Sequence, residues 1–159
     1  SMSLMTAALA RQPEAWKFMY EHPERMPDCV NELMRIIAMS MTQPRVVTQS
    51  FQWHGKQLHA GQIVMLMQGA GNRDPRVYQS PDLIDFGRAH DEVLTFGTGL
   101  HHCLGHMLAK MQLIEFFHAL TQRYEGVELL ESKLNWMPQI AFRGVFDLRA
   151  RFRPRAARS

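Results

Sequence analysis

The chain has 159 residues and 18.4 kDa, with 46% hydrophobic and 21% charged residues, enough apolar material for one packed core and too much for a disordered chain. Two cysteines exclude a disulfide framework, and the longest apolar runs, such as Ile63 to Met67, are too short to cross a bilayer, so no membrane partner is expected. The eighteen Lys and Arg exceed the fifteen Asp and Glu by three, but Arg149, Arg151, Arg153, Arg155 and Arg158 lie in the last eleven residues. Without those five the balance is slightly acidic, so the pI of about 9.1 describes a tail and not a nucleic-acid-binding domain. Residues Ser1 to Ala10 lack a basic region and a long apolar run, which sets the expected address as a soluble, reducing cytoplasm, with Ser1 ahead of Met2 read as an expression scar.

In chain order, Pro13 opens a helix to about Glu21, since proline suits a first helical turn. A second helix starts near Pro27, with Val30, Leu33, Met34 and Ile37 forming one apolar stripe. Glu32 and Arg35 fall on the opposite side and, taken alone, read as a surface i, i+3 ion pair worth about 0.2–0.5 kcal/mol. Val46 to Met67 reads as strands, with turns at Trp53-His54-Gly55 and His59-Ala60-Gly61. Gly71 to Thr95 is a long loop rich in turn formers, a length usually tied to function. A helix follows from about Leu104 to Tyr124, about 30 Å long at 1.5 Å per residue, apolar around much of its surface, expected to be central and closed by Gly126. Val127 to Phe152 reads as short strands and turns, and 153–159 as a basic, frayed tail.

The chemistry gathers where the loop meets the last helix, in F-G-T-G-L-H-H-C-L-G at 96–105. Cys103 just before a helix lies near unpaired backbone N–H groups and the positive end of the helix dipole, which favours thiolate and hence metal ligation. Gly97 and Gly99 permit positive φ and a close pass by a flat object, Gly105 opens the first helical turn, Phe96 offers an apolar cover, and His101 a polar contact. Together they suit a planar iron macrocycle with one axial thiolate. Three other readings stand beside this one: a packed cysteine behind an ordinary glycine turn, a zinc site from His102, Cys103 and His106, and a nucleophilic cysteine with a histidine base.

The whole ordered set carries more than its parts. Residues 96–105 resemble the heme-binding loop of the cytochrome P-450 family, F-x-x-G-x-H-x-C-x-G, with every fixed position filled. Glu32 and Arg35 match that family's E-x-x-R, Arg88 in I-D-F-G-R its meander arginine, and N-R-D-P at 72–75 with S-P-D at 80–82 the stretch between sheet and meander in bacterial members. Pro44-Arg45 resembles its propionate-binding arginine, and F-R-G at 142–144 its final hairpin.

The resemblance implies a mainly α fold with small β-sheets, the C-terminal part of the cytochrome P-450 fold over 1–152 with the distal half absent. It makes Cys103 the proximal ligand of heme b, Arg45 and His101 partners of the propionates, Phe96 a cover for ring and sulfur, and Gly97, Gly99 and Gly105 the clearance under the ring. Glu32, Arg35 and Arg88 become a buried structural triad. The implied activity is a monooxygenase that takes electrons from a ferredoxin or reductase, near Lys110 and His106, and places oxygen in an apolar small molecule. Family members are longer. The proton-delivering threonine is expected upstream of Ser1, Thr6 falls too late to replace it, and Val93 stands where bacterial members commonly have histidine. The alternative is accordingly a truncated, non-catalytic heme binder, or a chain that covers its open face with a complementary chain or a second copy.

Overall fold

The computed structural model describes residues 2–88 and 93–156, so residues 89–92 of the long loop, His90 among them, and Arg158 of the tail lie outside the described residues. Four helices build the main layer: α1 (Met2–Ala10), α2 (Pro13–Glu21), α3 (Met26–Ile36) and, after the short α4 (Gln68–Gly71), the long α5 (His106–Arg123). Pro13 sits in the first turn of α2 as expected, and a 3-10 turn at Pro23–Arg25 leads into α3. Residues Leu4, Met5 and Leu9 of α1, Trp16 and Met19 of α2, and Val30 and Leu33 of α3 close on Leu113 and Phe117 of α5. Trp16 keeps its indole satisfied within that core by donating to the Tyr124 carbonyl at 3.1 Å. Burial among these side chains pushes the Cys29 thiol up to about 12, which makes it packing and not a nucleophile. Among the described residues no helix is long and apolar enough to cross a membrane.

Three two-stranded antiparallel sheets flank the helices. Strand β1 (Gln43–Val46) pairs with β4 (Ile63–Leu66), Arg45 opposite Val64; β2 (Phe51–Trp53) pairs with β3 (Lys56–Leu58). His54 and Gly55, both at positive φ, form the two-residue turn that a right-twisted hairpin favours. Strand β5 (Tyr124–Leu129) pairs with β6 (Ala150–Pro154), which takes in the first two residues of the expected tail.

Two expectations about α5 need correction. Gly126 does not cap it: the chain turns directly into extended backbone at Tyr124, and Gly126 occupies an irregularity in β5 where an added Cβ would meet the Arg153 guanidinium at 2.7 Å. Nor is α5 buried all round. Leu113, Phe117 and Thr121 are covered, whereas Met107, Leu108 and Met111 are each about 60% exposed and Leu104 wholly so. A helix apolar on most of its surface needs neighbours on both sides, and within the described residues α2, α3 and β5 cover only one.

Three of the five arginines at the basic end are paired locally. Arg149, Arg151 and Arg153 face Glu131, Glu128 and Glu125 across the β5–β6 hairpin at 3.3, 3.8 and 3.9 Å. These pairs are exposed, so Glu128→Gln is expected to change the urea-unfolding free energy by less than about 1 kcal/mol, the difference shrinking as salt is added.

Candidate functional site

The site is built on a buried ionic frame. Glu32 and Arg35 are fully buried, which corrects the surface pair inferred from helical position alone and agrees with the triad implied by resemblance. The two Glu32 oxygens accept from Arg35 Nε and Nη2, both at 2.8 Å. Arg88 Nε donates to Glu32 Oε1 at 3.2 Å and the Asp85 N–H donates to the same oxygen at 3.0 Å. Arg35 also donates to the carbonyls of Asn72, Pro81 and Leu83, so one guanidinium gathers three points of the long loop against α3. Charges this deep are tolerated because every face of both groups is hydrogen-bonded.

Asn72, the first residue of N-R-D-P, carries that frame to the cysteine loop. It is fully buried, donates to Thr95 Oγ1 at 2.9 Å and accepts from the Leu94 N–H at 2.7 Å; Thr95 Oγ1 in turn donates to the Met34 carbonyl at 2.8 Å. The residue before Phe96 is thereby tied to the end of α3. Sequence reasoning gave Asn72 no individual role and missed Thr95, which lies next to the motif.

The loop itself folds back on one bond, the Cys103 N–H donating to the Phe96 carbonyl at 2.9 Å. Gly97 (φ 71°) and Gly99 (φ 67°) both use the left-handed region, as the glycine spacing predicts. Gly97 is buried, and a Cβ there would meet the Gln43 and Gln68 amides at 3.4 Å. Gly97→Ala is expected to cost about 1–2 kcal/mol from backbone strain, read as a lower urea midpoint. Gly105 has an ordinary φ of −84° and caps α5, so no conformational need for glycine applies there; a Cβ would touch only Cys103 Sγ, at 4.0 Å. The helix starts at His106, later than expected. Cys103 precedes the Gly105 cap by two residues, and its carbonyl accepts the His106 N–H at 3.2 Å.

Cys103 is exposed, on the wall of a cavity of about 570 Å³ within the size range of cofactor sites. Phe96 and His101 line it with Cys103, and the remaining walls are mainly apolar: Met5, Met34, Ile37, Met39, Leu113 and Phe142. The structure therefore brings together cysteine, aromatic cover and histidine from one loop with side chains from α1, α3, α5 and the 141–142 segment. Arg45 is not among the lining residues. It is exposed and folded along its own strand, donating to the Pro44 carbonyl at 2.8 Å and to Gln43 Oε1 at 3.1 Å, while Gln43 and Pro44 reach the cavity. Gln43 is a polar contributor to the wall that the motif reading omitted, its signal being place alone, two residues before Arg45; the buried Gln68, at the start of α4, lies against Gly97. His102 and His106 meet edge to face at 4.4 Å between ring centroids beside Phe96, and among the described residues no group of three or more His, Cys, Asp or Glu side chains is placed to hold a metal ion.

The cytochrome P450 family model matches residues 12–142. Nocardicin C N-oxygenase from Nocardia uniformis subsp. tsuyamanensis is 35% identical over 123 residues, 76% of this chain and 31% of that enzyme. Mycinamicin IV hydroxylase/epoxidase from Micromonospora griseorubida is 33% identical over 144 residues, 88% of this chain and 36% of its own length. The structure of P450 RauA complexed with a biosynthetic intermediate of aurachin RE superposes with a TM-score of 0.89 at 26% identity, over 96% of this chain and 37% of that one. The chain thus spans about a third of the length of the relatives it matches. With the cysteine loop, the buried Glu-Arg-Arg frame and the family model all falling on the same residues, the chain belongs to the cytochrome P450 family.

Proposed function

We propose that the chain is the heme-binding part of a heme-thiolate monooxygenase, with heme b in the cavity beside Cys103. The observation that carries this reading is that cavity: an exposed thiol, a histidine and an aromatic side chain on one loop face an apolar space of cofactor size. Bound iron porphyrin supplies oxygen activation, and a thiolate ligand favours O–O cleavage.

The chain's own residues bind and orient. Cys103 ligates, held in place by its N–H bond to Phe96 and by its carbonyl on the first turn of α5. His101, in the cavity wall, would hold one propionate, and Arg45, which donates to Gln43 beside that wall, would hold the other. Phe96 excludes water from the sulfur side. Gly97, Gly99 and Gly105 would keep the loop free of side chains on the side that holds the cofactor. An apolar small-molecule substrate and a ferredoxin or reductase donor, docking near Lys110 and His106, complete the activity; a cytoplasmic address suits a ligand thiol that must stay reduced. Hemin titrated into the protein should saturate at one equivalent with a Soret band. Arg45→Ala with His101→Ala should release heme to an acceptor protein about tenfold faster or more, with the iron–thiolate spectrum kept, since each lost charged hydrogen bond is worth about 1.5–3 kcal/mol. Unchanged release would contradict the propionate assignment.

A second reading is favoured by the exposed Leu104, Met107, Leu108 and Met111: a chain that binds heme without turnover and covers this face with a complementary chain or second copy. Sedimentation separates the cases, because a stable, strictly monomeric protein would contradict an assembling one.

A further inference from the structure

The cysteine loop is hydrogen-bonded to the rest of the molecule at one end only. Among the described residues, the hydrogen bonds made by residues 96–105 close within 94–109: the Gly97 N–H on the Leu94 carbonyl, Cys103 on Phe96, His102 on Gly99, His106 on Cys103 and Ala109 on Gly105. The ties to the core are the bonds at Leu94 and Thr95, the residues just before Phe96. Asn72 makes two of them, and all of its polar groups are used: its N–H donates to the Gln68 carbonyl at 2.9 Å, its carbonyl accepts from Arg35, and its side chain serves Leu94 and Thr95. That amide has one orientation only. The Leu94 N–H can only donate to it, and the Thr95 hydroxyl gives its proton to the Met34 carbonyl and so must accept. Gly71 lets Leu94 close in beside Asn72, since a Cβ there would stand 2.7 Å from Leu94 Cδ1. Thr95 and Met34 both stand in the cavity wall with Cys103.

We infer that Asn72 and Thr95 are positioning residues for Cys103, carrying the fixed place of the buried Glu32–Arg35 frame to the loop and holding the cysteine where its sulfur ligates. A loop with glycines at 97, 99 and 105 has little stiffness of its own, so the anchored end decides where it stands. The two residues act through Phe96, which follows Thr95 directly and whose carbonyl holds the Cys103 N–H at 2.9 Å. This role rests on ligation of heme iron by Cys103, and the experiment separates the two.

Amide exchange of the hemin-free protein and the reduced carbon monoxide spectrum of the hemin-loaded protein are compared for the parent, Thr95→Val and Thr95→Ser. Thr95→Val keeps the size and loses the hydroxyl, which leaves the Asn72 amide without its acceptor; Thr95→Ser keeps that group. In Thr95→Val the Cys103 N–H is expected to exchange about tenfold faster or more, while the N–H of the fully buried Phe117 in α5 keeps the parent's rate. The iron–thiolate band of the same variant is expected to convert in part to the blue-shifted band of a lost thiolate, and Thr95→Ser to restore both properties. Equal acceleration at Cys103 and Phe117 would mark a general loss of stability. That result, or parent-like exchange and spectrum in Thr95→Val, would overturn the inference. Where circular dichroism shows Thr95→Val unfolded, Thr95→Ala is read the same way. A parent without the iron–thiolate band contradicts ligation by Cys103 itself, while faster Cys103 exchange in Thr95→Val would still support the anchoring of the loop.

Discussion

Glu32→Ala is expected to cost about 3–5 kcal/mol of stability, because it leaves Arg35 and Arg88 charged and uncompensated in the interior. The loss is not that of one pair. Without the carboxylate, Arg35 remains with its carbonyl partners on Asn72, Pro81 and Leu83, but the Asp85 N–H loses its acceptor and the loop leading to Phe96 loosens. Urea unfolding read by tryptophan fluorescence measures the change, and a loss under about 1 kcal/mol would place the triad outside the group of buried, coupled charges. The same network sets an acid limit. Burial alone raises the Glu32 carboxyl, but bonds from Arg35, the Asp85 N–H and Arg88 outweigh it and hold it below its ordinary 4.5. A depressed folded value means that the stabilisation is complete above the unfolded value and is lost as pH falls through the folded one. The urea midpoint should therefore drop on acidification below about pH 4.5, and Glu32→Gln should lack that part of the drop.

Cys103→Ala is expected to abolish the iron–thiolate signature entirely while leaving the apo protein within about 1 kcal/mol of the parent. The side chain is exposed and contributes no core packing, so substitutions there fall in the range typical of surface positions. The loop's shape rests on the Cys103 N–H to Phe96 carbonyl bond and the two positive-φ glycines, none of which needs the sulfur. The pairing of a spectroscopic loss with thermodynamic silence distinguishes a ligand from a packed cysteine. A packed, hydrophobic cysteine such as Cys29 would give the reverse: Cys29→Ser is expected to destabilise while leaving hemin binding intact.

These contrasts also mark what the sequence conveyed. The α2 boundaries, the stripe on α3 and the glycine turns were legible because helix period, proline and positive φ are local properties. The motif at 96–105 was legible because ligand chemistry fixes residue types at fixed spacing. Helical position alone put Glu32 and Arg35 at the surface, since the groups that bury them, Leu83, Asp85 and Arg88, come from about fifty residues away. Arg45's exposed place outside the cavity wall depends on its pairing with Val64 and its bond to Gln43, and neither is a property of the Pro-Arg dipeptide. Gly126 looked like a helix cap because glycine serves caps and strand irregularities equally; only the pairing with β6 decides. The apolar composition of α5 pointed to a central helix, whereas among the described residues one face is covered and the face of Met107, Leu108 and Met111 is open.

The central claim is that Cys103 ligates heme iron from the wall of the 570 Å³ cavity. The hemin-loaded protein, reduced under carbon monoxide, tests it most directly. A red-shifted Soret band characteristic of an iron–thiolate complex, present in the parent and absent in Cys103→Ala, is the predicted result. A histidine-type band in the parent, or a red-shifted band that survives Cys103→Ala, would contradict it.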